Sequence, residues 1–339
     1  MESTKRVRWL DSVKGLAIVL VVWGHIALEA GVARVFVYAF HLPVFFVVTG
    51  ILRARRDEAH ARWRFSRRAA QLLYPYATFS LLIVLYLACR GRLGDAGSAL
   101  LQTLCLYGYN TLWFLPACLL AECIFVLVRK SRVPDRWGSL ALVVGTCAVS
   151  LVLYKLQYSA VAALRLAGAV INGVNRAAVG AVLILCGYHG YFRLRQRIAK
   201  CSPAAVCACG AALLLGGAVL SQANGLVDLR QSQLNMPPLF YLCAALGSAG
   251  VILLLRQCGG RCRLLAFFGE NSLIIMATHY AFPFVQAASA LTAGLSALPA
   301  LQSIATCAVV MLMESALVLA LRRYAPFLIR PPRGKKAAA

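Results

Sequence analysis

Ten blocks of roughly 17 to 22 mostly apolar residues, separated by short basic loops, constrain this chain more than any other feature of its sequence. An α-helix rises about 1.5 Å per residue, so about 20 apolar residues cover the ~30 Å hydrocarbon layer of a bilayer. Inside lipid every backbone amide needs an internal partner, which leaves helices as the structure for such blocks. The blocks are Leu10–Leu28, Val35–Leu52, Gln71–Cys89, Leu112–Val128, Gly138–Tyr154, Asn172–Tyr188, Pro203–Leu220, Pro238–Leu255, Leu264–Pro283 and Ala300–Leu321. With 61% apolar residues in 339 and a mean hydropathy of +0.75, the chain carries more hydrocarbon than a water-soluble domain of its size can hide. The fold class is therefore all-α, a polytopic helical membrane protein of about ten transmembrane helices.

Basic residues outnumber acidic ones 35 to 11. They punctuate apolar helices and form no contiguous domain with interleaved aromatics, so the charge speaks for topology and against nucleic acid. Counted by side, 28 Lys and Arg fall in the N-terminal segment, Arg53–Arg68, Arg129–Arg136, Arg193–Lys200, Arg256–Arg263 and the tail from Arg322; only 6 fall in the alternate loops. That bias predicts both termini in the cytoplasm. Ser98–Asn110 and Leu156–Ile171 are moderately apolar and are expected to be interfacial or re-entrant pieces on the outer side. Most of the 13 cysteines stand singly in apolar runs and read as small hydrophobes; Cys258 and Cys262 have no partner pair at zinc-site spacing, so no metal is expected. The organisation read from this is one transmembrane domain over 1–325 and a short basic tail over 326–339. The first apolar run lacks a small-residue cleavage site, and no transporter-like internal repeat is evident.

Polar groups inside the spans carry the chemical information, because each costs on the order of 2.5–3.5 kcal/mol at mid-bilayer unless something compensates. They are His25, His41, Glu122, Asn175 with Arg176, Asn271, His279 and Glu314. Lys14 and His25 are eleven residues apart, so on one helix they share a face to within about 20° and lie roughly 16 Å apart along the axis. Asp11, one turn before Lys14, is placed to pair with it. A cation at the basic mouth and an imidazole at depth suit a substrate with an anionic head and a reactive far end, such as an acyl-coenzyme A. Glu122, Glu314 and Arg176 read as buried ion pairs that lock helices together. An alternative from another class is a proton-coupled secondary transporter, in which the intramembrane His, Glu and Arg form a relay.

The run Trp9-Leu10-Asp11-Ser12-Val13-Lys14-Gly15 through Gly24-His25, followed by Phe40-His41-Leu42-Pro43-Val44-Phe45-Phe46 and Thr49-Gly50, resembles the acyltransferase-3 family of integral-membrane O-acyltransferases. The likeness continues through Arg67-Arg68 ahead of Leu73-Tyr74-Pro75-Tyr76, Leu112-Trp113-Phe114-Leu115, Pro237-Pro238-Leu239-Phe240-Tyr241 and Phe268-Gly269-Glu270-Asn271-Ser272 with His279. Within the family it is most similar to the fucose 4-O-acetyltransferase-like branch, which commonly has Lys where other members have the first-helix Arg. The usual Ser-Gly-Tyr of the second helix is Thr49-Gly50-Ile51 here.

The resemblance implies transfer of an acetyl or other short acyl group from cytoplasmic acyl-CoA to a hydroxyl of a sugar or cell-envelope glycan. The enzyme would sit in a cell membrane, with a bacterial cytoplasmic membrane as the expected location. Carried onto this chain, it implies His25 as catalytic histidine with Lys14 as its partner in placing the donor; Asp11, which can hold Lys14, and His41, at a depth similar to His25, complete the candidate catalytic set. Lys14, Arg67 and Arg68 would hold the phosphates of the donor, acetyl-CoA. Trp113, Asn271 and His279 are the expected substrate-binding residues, and the partners are the acyl-CoA, the glycan acceptor and the bilayer. For Arg67 and Arg68 plain topogenic charge is the competing account, and for His41 a helix–helix hydrogen bond.

Overall fold

The computed structural model describes residues 6–26, 31–60, 64–157, 162–260 and 262–330, and the side chains of 154–166 are outside that description. The end of the first expected span, Arg62, much of Leu156–Ile171, Arg261 between the two cysteines, and the tail beyond Arg330 lie outside the described residues.

The chain begins with α1 (Arg8–Ile26) and a broken pair, α2 (Gly31–Phe40) and α3 (Pro43–Glu58). Then come α4 (Phe65–Cys89), the short α5 (Leu93–Leu104), a 3-10 turn at Asn110–Trp113 that runs into α6 (Phe114–Lys130), α7 (Asp135–Gln157) and α8 (Ala162–Lys200). The last part holds α9 (Pro203–Asn224), α10 (Pro237–Cys258), α11 (Arg263–Glu270), α12 (Ser272–Thr278), α13 (Phe284–Leu291) and α14 (Pro299–Tyr324). Among the described residues nine stretches are helical, long and apolar enough to cross a membrane, with α2–α3 counted as one. More than half of α1, α2–α3, α6 and α8 is buried within the protein, whereas α7 and α9 turn most of their surface outward. Leu215, Val219 and Leu312 are accordingly open, as lipid-facing side chains are.

The ninth expected span, Leu264–Pro283, is not one helix but α11 and α12, of 8 and 7 residues. The reason is the run Gly269-Glu270-Asn271-Ser272. Asn271 Nδ2–H donates to the Phe267 carbonyl at 2.7 Å, which the Asn271 backbone N–H also reaches at 3.2 Å, and Ser272 Oγ donates to the Gly269 carbonyl at 3.1 Å, so short polar side chains bond locally to the backbone where α11 ends. The α2–α3 break lies at Pro43, which has no N–H to give to the ladder. The expected outer stretch Ser98–Asn110 contains most of α5, too short to span; its Leu100, Leu101 and Leu104 face outward.

Lipid tails are as apolar as leucine, so helices in a membrane gain by close backbone approach at small residues. Two glycine pairs do this. A Cβ on Gly15 would run into the Leu265 carbonyl and one on Gly269 into that of Asp11, so α11 lies directly on α1. A Cβ on Gly50 would likewise meet the Ile184 carbonyl, and one on Gly187 that of Val47, which seats α3 on α8. The first pair brings the C-terminal elements against the first helix.

Candidate active site

His25 lies in the last turn of α1, where helix carbonyls lack intrahelical partners. Tyr38 Oη donates to the Gly24 carbonyl at 3.0 Å, and Trp23 Nε1–H donates to Ser303 Oγ of α14 at 3.3 Å. The turn that carries the imidazole is thus held from two sides.

His279 immediately follows α12 and is fully buried. Its Nδ1 stands 2.7 Å from the Ile275 carbonyl, which can only accept, so Nδ1 carries the hydrogen and Nε2 of the neutral ring is an acceptor. His25 Nδ1 is 2.8 Å from that Nε2, and must therefore be the donor. The remaining nitrogen, His25 Nε2, is left with its lone pair and makes no hydrogen bond among the described residues. The two rings are within 7° of one plane with centroids 5.0 Å apart, an edge-to-edge pair joined in plane. His25 is partly exposed, and the Tyr280 ring lies 4.8 Å from it by centroid.

His41, 4% exposed, repeats the same local device: Nδ1–H donates back to the Val37 carbonyl at 2.7 Å. Its ring packs on Tyr38, and together with Arg34 and Arg230 it is near enough to His25 to act on it electrostatically. His41 and His25 therefore belong to one neighbourhood, though no hydrogen bond joins them.

At the other end of α1 the spacing argument meets its partner. Lys14 Nζ and Arg6 Nε both sit 2.7 Å from the Asp11 carboxylate, and Arg6 also reaches Glu270 at 3.4 Å. Asp11 is buried while Lys14 keeps about a quarter of its side chain open. The hydrogen bond to Asp11, with the charges of Asp11 and Glu270, holds the Arg6 guanidinium above its ordinary pKa against partial burial, which pulls it down. Since α1 is unbroken, Lys14 and His25 stay roughly 16 Å apart along one helix.

The two expected phosphate-binding arginines part company. Arg67 is exposed, whereas Arg68 donates through Nε to Glu122 Oε1 at 2.6 Å, and Glu122 is 3% exposed. Glu122 is thus the buried ion pair that its sequence position suggested. Arg176 and Glu314 are not. The Arg176 guanidinium, 1% exposed, lies between the rings of Tyr107 and Trp113 at 4.5 and 5.0 Å and donates to the Tyr107 carbonyl at 2.5 Å. Glu314 Oε2 accepts from Thr278 Oγ, the residue before His279, at 2.7 Å, and pairs with no cation among the described residues. Aromatic faces and a hydroxyl do there what opposite charges were expected to do.

Trp113 therefore stands with Arg176, and Asn172 ties the same region together: it donates to Tyr107 Oη at 3.1 Å and to the Arg230 carbonyl at 3.0 Å, and accepts from Ser232 Oγ at 2.6 Å. Tyr107, Asn172, Arg176 and Arg230 were not singled out as site residues; their meeting depends on the loop after α9 folding back. Asn271 is the joint of α11 and α12, and accepts from Arg322 Nη1 at 3.4 Å; it is placed as a hinge cap rather than beside His25. Among the described residues no three His, Cys, Asp or Glu side chains are grouped as metal ligands.

The arrangement is a neutral imidazole fixed in one tautomer, partly exposed and with its basic nitrogen free of hydrogen bonds among the described residues, one helix length from a cationic mouth. A family model described as an acyltransferase domain, that of acyltransferase-3, matches residues 7–318. The chain belongs to the acyltransferase-3 family. Neither comparison with curated proteins nor comparison with solved structures gives a match. The match spans every element from α1 to most of α14, so this membrane acyltransferase has both histidines of the bonded pair inside the family domain.

Proposed function

We propose that this acyltransferase moves an acetyl or other short acyl group from acyl-CoA to a hydroxyl of a sugar or envelope glycan, as the fucose 4-O-acetyltransferase-like branch does. The observation that carries the reading is the His25–His279 bond, which leaves His25 Nε2 as a base at the end of the helix that bears Lys14. The acceptor hydroxyl attacks the thioester carbon as His25 Nε2 takes its proton; the C–S bond breaks, and the coenzyme A thiolate recovers the proton. Positive charge that forms on His25 is stabilised by the His279 Nε2 lone pair that accepts its Nδ1–H, a neutral counterpart of the carboxylate that orients and stabilises a catalytic histidine elsewhere.

On this reading the donor comes from the basic side, which is the cytoplasm by the charge bias, in a bacterial cytoplasmic membrane. Lys14 and the exposed Arg67 offer charge to its phosphates, and Arg68 acts through its hold on Glu122. Lys14 is a point charge without the planar fork of arginine, so its grip is electrostatic. The acceptor side is the region of Trp113, Tyr107 and Arg176, where aromatic faces and a guanidinium suit a sugar ring. The family match gives this reading a footing that a proton-coupled transporter does not have.

The test is transfer from radiolabelled acetyl-CoA by the purified protein in detergent with extracted envelope glycan. His25→Ala should lower transfer by at least about 10³-fold while the protein still elutes as a folded species. Full activity in that variant would end the scheme.

A further inference from the structure

An apolar groove of about 620 Å³ runs between α3, α8, α9 and α10, with Trp9 of α1 at its rim. Its walls include Ile51, Leu213 and Ala249, and its lining contains neither histidine of the bonded pair, nor Lys14, nor Arg67. It is a different place from the candidate active site.

Three arginines line it: Arg55 in the last turn of α3, Arg256 in the last turn of α10, and Arg195 near the end of α8. Those helix ends all lie on the basic side, so the cations gather at one end of the slot, where headgroups lie. Arg195 is committed to Glu58, whose other oxygen accepts from Tyr191 Oη at 2.8 Å. Arg55 and Arg256 have no ion pair among the described residues. Three cations against one carboxylate leave a net charge of two at the mouth of a hydrocarbon slot.

From this we infer a binding site for one anionic phospholipid of the leaflet on the basic side. An acyl chain lies along Ile51, Leu213 and Ala249, and the phosphate meets Arg55 and Arg256. Basic pockets between transmembrane helices select anionic headgroups in this way, because a zwitterionic lipid brings its own cation to the same arginines.

The experiment is native mass spectrometry of the full-length protein in detergent, with equimolar phosphatidylglycerol and phosphatidylcholine of identical chains. Phosphatidylglycerol should be retained at least about tenfold over phosphatidylcholine, and the Arg55→Ala/Arg256→Ala variant should fall below about twofold. Arg193→Ala/Arg197→Ala, which removes two cations of α8 outside the lining, should keep the preference. Ala249→Trp fills the slot and leaves the arginines, and should lose both lipids; it gives a second reading if the double arginine variant does not fold. Equal retention of the two lipids, or equal loss in both arginine pairs, would overturn the assignment. So would displacement of the lipid by coenzyme A, which would make the groove the donor site.

Discussion

His279 donates to one carbonyl and accepts from one imidazole, so its replacement tests a position rather than a reacting group. His279→Ala removes the acceptor that fixes the His25 tautomer, and kcat should fall by about 10²-fold with the KM for acyl-CoA unchanged. His279→Gln can still offer an oxygen to the His25 Nδ1–H, and should recover a large part of that loss. A variant pair with equal kcat would mean that the ring only fills space. Lys14→Arg keeps the charge beside Asp11 and should retain activity in the same assay. The two adjacent arginines separate in a similar way. Arg67→Ala should raise the KM for acyl-CoA and leave the melting temperature alone. Arg68→Ala strands the buried Glu122 carboxylate and should cost about 3 kcal/mol of stability, measured by unfolding in mixed micelles. An Arg68→Met/Glu122→Leu protein should regain most of it, since no charge is left buried without a partner.

At the scale of elements, the contact of α1 with α11 depends on two residues without side chains. Gly269→Ala forces a methyl into the Asp11 carbonyl and should destabilise the protein by about 1–3 kcal/mol, with loss of transfer because Lys14 and His25 ride on the displaced helix. An unchanged melting temperature would show that the helices have room to part. Much of this architecture was legible in the residues. The spans at α1, α9, α10 and α14 stand in the sequence as long, predominantly apolar runs, and the Asp11–Lys14 pair follows from three-residue spacing. The split of Leu264–Pro283 was not legible, because averaged hydropathy over twenty residues hides three consecutive polar ones, two of which bond back to the backbone where the helix ends. His279 consequently read as a distant neighbour of Asn271 on one helix, when it is the bonded partner of His25. Arg176 read as half of an ion pair because a lone charge in a span demands compensation, and the sequence does not say whether a carboxylate or a pair of rings will supply it.

For the whole molecule, the 28-to-6 split of basic residues is a claim about orientation that a reporter can check. A fluorescent protein fused to the C-terminus should fold and emit in the cytoplasm, while alkaline phosphatase at the same place should be inactive; the reverse result would invert the entry side proposed for the donor. The same asymmetry puts the long end of α8, with Arg193, Arg195 and Arg197, on the basic side. The bonded histidines are 254 residues apart in sequence. A ribosome that has threaded the first helix into the membrane has made an imidazole whose hydrogen-bond acceptor does not yet exist, and most of the chain must follow before His279 can fix its tautomer. On the proposed mechanism, nascent or prematurely terminated chains therefore lack the fixed base, a safeguard that follows from chain order alone.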